Sequence, residues 1–192
     1  MSEIDLIDAL PARTGHFRFE SGHHGDFWLV LDALFTDPDR TEQLAAEVTG
    51  RLGGRGIELV CGPMTGGALL AQVVARQLGV AFAYTERVVA GDLTVRYILP
   101  VAHQPLVRGE RVAIVDDVIN AGSATTKSFD ALVSAGARPV AIAALLVLGS
   151  AIDRFGEHAG IEVIACSRRE SALWSPEDCP LCAQGVPLDN LP

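Results

Sequence analysis

The sequence predicts an α/β domain built on a parallel sheet, and three observations carry that prediction. Short apolar runs recur at Ile57 to Cys61, Val80 to Tyr84, Val112 to Val115, Val140 to Leu148 and Ile161 to Cys166. They are continuous rather than alternating, as strands buried on both faces are. Amphipathic stretches at Gly67 to Leu78 and Ser123 to Ala135 separate some of these runs, each closed by a glycine (Gly79, Gly136) of the kind that ends helices. Finally, 192 residues suit one domain with a sizeable core.

In chain order, Ile4 to Leu10 reads as a short helix stopped by Pro11. Gly15 to Leu34 is rich in glycine and aromatic residues. It alternates through His16-Phe17-Arg18-Phe19-Glu20 and Phe27-Trp28-Leu29-Val30-Leu31, which predicts a hairpin. Asp39 to Leu52 reads as a helix closed by Gly53-Gly54. From residue 57 the β-α-β rhythm begins. Leu93 to Leu99 reads as an extra strand paired with its neighbour, and Arg108-Gly109-Glu110 as a turn into the strand at Arg111.

Composition excludes several classes. With 49% hydrophobic and 20% charged residues the chain is not disordered. Fifteen basic residues against 24 acidic ones leave a net charge of −9, which argues against broad contact with nucleic acid or an anionic membrane. No apolar run reaches the roughly 18 residues of a spanning helix. The opening Met1-Ser2-Glu3-Ile4-Asp5 lacks a basic leader, so cytoplasm is the expected compartment. Lys127 is the only lysine, so a clamp for an anion would be made of arginine.

Cys61, Cys166, Cys179 and Cys182 are too few and too unevenly spaced for a disulfide framework. Cys179-Pro-Leu-Cys182 has C-x-x-C spacing. A structural zinc needs two more ligands, for which Cys166 and His158 are loose candidates. Spacing alone favours two thiols in a tight C-terminal turn.

Ligands of open α/β sheets bind outside the carboxyl ends of strands, so the residues there carry the functional signal. After Val115 come Asp116 and Asp117, then Val118-Ile119-Asn120-Ala121-Gly122-Ser123-Ala124-Thr125-Thr126. A small-residue turn opening a helix aims backbone N–H groups and hydroxyls at one spot that the helix dipole also makes favourable to anions. The paired carboxylates could hold sugar hydroxyls or water around Mg²⁺, a hard ion. Either feature alone is ordinary: acids can end a strand and Ser123 can cap a helix. A P-loop is the nearest competitor, because Lys127 and Ser128 follow Gly122, but its second glycine is missing. No dinucleotide fingerprint follows any strand. A second strand-to-helix turn, Met64-Thr65-Gly66-Gly67, has glycines that permit close backbone approach.

Val115 to Ala124 resembles the phosphoribosyl pyrophosphate (PRPP) motif of type I phosphoribosyltransferases, in the form Asp-Asp-Val-Ile-x-Ala-Gly that is most similar to orotate phosphoribosyltransferases. Gly15-His16-Phe17, Ser21-Gly22, Cys61 to Gly67 and Trp174 to Cys182 agree, so the resemblance runs over most of the chain. It implies a central parallel sheet flanked by helices, with a small hood from about residues 1–35 and 166–192. The reaction implied is displacement of pyrophosphate from PRPP by a nitrogenous base, with Mg²⁺, in a homodimer. Asp116 and Asp117 would stand beside the ribose hydroxyls and, through water or substrate, the metal. Residues Ile119 to Ala124, with Val118 and Thr125 at the edges, would surround the 5′-phosphate, and Met64 to Gly67 the pyrophosphate.

This chain departs from the family pattern at three places. The stretch Thr85 to Arg96 lacks the family's Lys and His, which leaves Arg87 and Arg96 as the local pyrophosphate contacts, Arg87 directly after a strand end. Leu145 to Ser150 ends without the arginine that would meet orotate, the next basic residue being Arg154. Met64-Thr65-Gly66 stands where some members place Tyr-Lys. Orotate is the acceptor implied first. Another base in salvage, or a non-catalytic PRPP or nucleotide sensor, are the alternatives. His23 and His24 either line the base pocket or form a surface turn. Phe82 and Tyr97 are expected as exposed apolar contacts of the dimer.

Overall fold

The computed structural model describes residues 12–19, 21–91 and 94–189; the helix expected over Ile4 to Leu10 lies outside them. The described residues open on a hairpin of β1 (Ala12–Arg18) and β2 (His24–Leu29). Helix α1 (Pro38–Leu52) follows, started by Asp37, whose carboxylate accepts from Asp39 N and Arg40 N. Then come β3 (Leu59–Pro63), α2 (Gly66–Leu78), β4 (Ala81–Val89), β5 (Val95–Ile98), the short α3 (Gln104–Val107) and β6 (Arg111–Ile119). The chain continues through α4 (Ser123–Ser134), β7 (Arg138–Leu148), α5 (Ala151–Ala159), β8 (Glu162–Arg169) and a last turn of helix, α6 (Pro180–Ala183).

Six strands form one sheet in the order β5-β4-β3-β6-β7-β8, all parallel except β5, which pairs antiparallel with β4. Strand alternation sends successive side chains to opposite faces and creates two cores. Val60, Val115, Ala143 and Leu145 meet Leu44, Val48, Leu70 and Val74 of α1 and α2. Leu59, Cys61, Ile114 and Ile142 meet Leu132 and Ile152 of α4 and α5. Truncating any of these buried leucines or isoleucines to alanine should cost about 2–5 kcal/mol.

Expectation and structure differ in places. Strand β6 runs through the two aspartates to Ile119, because β7 pairs with it as far as Val118↔Leu146 and Ile119↔Val147. Strand β4 continues past the end of β3 at Pro63 and forms a projecting ribbon with β5. Helix α5 was not expected: it has only nine residues and contains Gly156, a poor helix former. That glycine is required by packing, since a Cβ there would stand 2.6 Å from Val163 Cγ2. Phe82 and Tyr97 are not exposed. Phe82 packs against the first core and Tyr97 is buried. No helix among the described residues is long and apolar enough to cross a membrane.

Candidate active site

The strand order changes direction between β3 and β6: from β3 the chain winds outward to β4, and after β6 it winds the other way to β7 and β8. Ligands of such sheets bind at this switch point, beyond the carboxyl ends of the two strands. Here the turn after β3 is Met64 to Gly67, and that after β6 carries Asn120, Ala121 and Gly122. The topology therefore brings together the two turns singled out in the sequence.

The contact between them is tight. A Cβ on Gly66 would fall 2.1 Å from Asp117 Oδ2, and one on Gly67 2.5 Å from Asp116 Oδ1. Only glycine admits the carboxylates so close to this backbone. The Met64–Thr65 peptide in the same turn is cis. Asp116 and Asp117 are both buried. Thr125 Oγ1 donates to Asp116 Oδ2 at 3.0 Å, Asp117 N to Asp116 Oδ1 at 3.1 Å, and Val118 N to Asp117 Oδ1 at 2.8 Å. Burial, and then the neighbouring Asp117 charge, push the Asp116 pKa well above the usual carboxylate range. Two adjacent buried acids suit a partner that offers hydroxyls or positive charge.

Gly122 takes a left-handed conformation (φ 76°) at the start of α4, which turns the chain sharply so that residues 119–125 wrap a small hollow. Its volume is about 210 Å³, and Phe19, Ser21 and Trp28 of the hairpin close the opposite side. Phe19 and Trp28 stack, with centroids 6.0 Å apart and planes 12° from parallel. The result is a phosphate-type turn facing an aromatic wall, which suits an anionic group joined to a flat ring. A roomier groove of about 470 Å³ lies between β5 and α4, lined by Arg96, Lys127 and Asp130. That groove is larger than the hollow at the turn, but the carboxylate pair and the small-residue turn are at the smaller one.

The two candidate arginines part company. Arg87 is exposed, but inside β4 rather than directly after a strand end as expected, because β5 extends the pairing. It lines a hollow of about 530 Å³ with Arg18, Phe19, Gly22 and His24. Phe19 is common to this hollow and the phosphate-type one, so Arg87 is its neighbour. Arg87 pairs with Tyr97 and Val88 with Arg96, so alternation sends the two arginines to opposite faces of the ribbon. Arg96 is not brought to the site.

The P-loop competitor fails on structure: Ser128 is buried and shares a 2.6 Å hydrogen bond with Thr85 Oγ1 of β4. Arg154 is occupied by Ser150 Oγ at 3.1 Å. The arginine at the sheet's carboxyl edge is instead Arg169, which ends β8, pairs with Leu148, and lies 3.9 Å over the Phe27 ring. Beside it Gly149 N donates to Arg169 O, and the buried hydroxyl of Ser171 has no hydrogen-bond partner. Sequence reasoning missed Arg169 by looking one strand too early. It saw Phe19 and Trp28 only as part of a hairpin, since which face of the hairpin meets the site is a tertiary fact. His24 is buried, so the surface-turn reading fails for it, while His23 lies beside Ser21 Oγ at 3.2 Å.

Comparison with known proteins agrees with this geometry. Residues 37–160 match the family model of the phosphoribosyl transferase domain. The orotate phosphoribosyltransferase of Pelotomaculum thermopropionicum is 36% identical over 176 residues, which cover 91% of this chain and 86% of that protein. That of Thermotoga maritima is 32% identical over 181 residues, 92% of this chain and 89% of the relative. Among solved structures, orotate phosphoribosyltransferase from Aeropyrum pernix superposes with a TM-score of 0.67 at 20% identity, over 88% of this chain and 93% of that one. Adenine phosphoribosyltransferase from Rhodothermus marinus gives 0.69 at 18% identity, over 87% and 98%. At such identities the structural likeness speaks for the fold.

Proposed function

The chain belongs to the phosphoribosyl transferase family, and from that premise we propose that it transfers the 5-phosphoribosyl group of PRPP to orotate with release of pyrophosphate. The observation that carries this reading is the apposition of Gly66 and Gly67 to Asp116 and Asp117 at the switch point. The acceptor is drawn from its relatives, several of which are orotate phosphoribosyltransferases.

In this reading the bond from C1 of the ribose to the pyrophosphate oxygen breaks as the bond to the ring nitrogen forms, and the proton of that nitrogen leaves to solvent or to the departing pyrophosphate. The protein positions the reactants and stabilises charge. Residues 118–125 hold the 5′-phosphate on backbone N–H groups and hydroxyls, and Asp116 and Asp117 take the ribose hydroxyls. Met64 to Gly67 lie against the pyrophosphate, and Arg87 reaches it from the ribbon. Phe19 and Trp28 flank the ring. Arg169, with the unpartnered Ser171 hydroxyl nearby, supplies the cation for the orotate carboxylate. The hard oxygens of Asp116 and Asp117 fit Mg²⁺, held through water or substrate, and the ion would offset the charge of the departing pyrophosphate.

The enzyme works in the cytoplasm as a homodimer, and Val88, Val89 and Ile98, exposed on the β4–β5 ribbon, support an intersubunit contact there. The deciding assay measures PRPP consumption with orotate, uracil, adenine, guanine, hypoxanthine and xanthine in parallel. Turnover with orotate alone is expected. Turnover with another base moves the enzyme to salvage, and PRPP binding without turnover makes it a sensor.

A further inference from the structure

We propose that His16, His24, Cys179 and Cys182 form a tetrahedral zinc site that fastens the N-terminal hairpin to the C-terminal segment. One ligand atom from each residue lies within 4.8 Å of all the others. His16 Nε2 is 3.0 Å from His24 Nδ1, 3.4 Å from Cys179 Sγ and 3.7 Å from Cys182 Sγ, and Cys182 Sγ is 3.3 Å from His24 Nδ1. Zinc–ligand bonds of 2.0–2.3 Å in a tetrahedron place ligand atoms about 3.3 Å apart for two nitrogens and about 3.8 Å for two sulfurs. The cluster already has that size.

Hydrogen bonding alone does not satisfy this arrangement. The other ring nitrogen of His16, Nδ1, lies 2.8 Å from Val186 O, and a carbonyl can only accept. Nδ1 therefore carries the proton and Nε2 offers its single in-plane lone pair. Three groups approach that lone pair, and a hydrogen bond uses one. A cation at the centre takes all four donors. The Val186 contact is the outer partner that a metal-bound imidazole usually has. His16 is fixed further by Asp189 Oδ2, which accepts from its backbone N at 2.9 Å, while Asp189 N donates to His16 O.

The donor set selects the ion. Two thiolates and two imidazoles suit Zn²⁺, whereas Mg²⁺ prefers oxygen. On binding, the two thiols lose their protons to solvent and the site becomes neutral overall, which suits a cluster with three of its four ligands buried. Four protein ligands leave no open position, so the role is structural. C-x-x-C spacing thus finds its missing ligands in His16 and His24. Cys166 is a buried core residue of β8 and His158 lies on α5, so neither of the two loose candidates takes part.

The test is metal analysis of the full chain, purified without chelator after growth in zinc-supplemented medium. About one zinc ion per chain is expected in the wild type. Cys182→Ser, at an exposed position that tolerates the change, should carry only background zinc while keeping the wild-type far-UV circular dichroism. Dialysis of the wild type against a chelator should lower Tm, and Zn²⁺ alone should restore it. Co²⁺ exchanged into the wild type should give the intense visible bands of a tetrahedral site with a thiolate band, absent in Cys182→Ser. Background zinc in the wild type with Tm indifferent to added Zn²⁺ would overturn the proposal. So would equal zinc in wild type and Cys182→Ser, or a Cys179–Cys182 disulfide in protein handled under reducing conditions.

Discussion

Gly66 and Asp117 lie so close that a methyl group on the glycine would stand 2.1 Å from the aspartate's Oδ2. This contact joins the turn after β3 to the carboxylates of β6, two segments that are 51 positions apart in sequence.

Gly66→Ala should therefore disable the site without unfolding the sheet. Overpacking costs about 1–3 kcal/mol, and here it falls on the turn and on Asp117 rather than on the core. Calorimetric titration with PRPP and Mg²⁺ should show affinity at least roughly tenfold weaker, the equivalent of 1.4 kcal/mol. Binding equal to wild type would mean that the turn and the aspartate do not act together.

Asp116 links site and stability through pH. Its folded pKa is raised above the ordinary value of 3.8, so the native state binds the proton more tightly than the unfolded chain. The stability this gives is fully present below that ordinary value and is lost as pH rises through it toward the folded pKa. Asp116→Asn removes the loss. Urea midpoints should show the variant more stable than wild type near neutral pH, with the gain shrinking as pH falls toward about 4. PRPP turnover should drop in the same protein. A difference between the two proteins that does not vary with pH would count against the buried acid as its source.

Arg87 and Arg96 leave opposite faces of one ribbon, so their substitutions should separate. Arg87→Ala should lower kcat/KM by about 10², the scale of one lost transition-state donor. Arg87→Lys should recover part of it, since an ammonium lacks the bidentate fork. Arg96→Ala should be near wild type in steady-state assays. The reverse pattern would move the clamp to the other face.

Arg169→Ala should raise KM for orotate by roughly tenfold or more, the cost of one charge-assisted hydrogen bond, and leave KM for PRPP unchanged. Equal effects on both substrates would identify Arg169 as a prop for Phe27 rather than a contact of the base.

The sequence made the sheet legible because its strands are continuous apolar runs and its helices carry clear stop signals. The carboxylate pair and the small-residue turn were legible for a chemical reason: few structural demands call for two acids followed by a glycine turn. Arg169 was not. Its place at the carboxyl edge of the sheet depends on β8 lying beside β7, a pairing no local pattern announces. His16 and His24 were equally hidden. They become neighbours of the cysteines only because the hairpin folds back on a segment synthesised some 160 residues later, the separation of Cys179 from His16 being 163.

That separation imposes an order on assembly. The hairpin is held by His24 N donating to Trp174 O at 2.8 Å and Trp174 N to His24 O at 2.9 Å, and by the contacts of His16 with residues 179–189. On the ribosome the N-terminal segment emerges first. The six-stranded sheet can be complete once Arg169 has left the tunnel, yet Phe19 and Trp28 still lack the segment that fastens their hairpin over the phosphate turn. A nascent chain arrested there would be folded but without a finished pocket, and competence would come only once residues 174–189 have emerged.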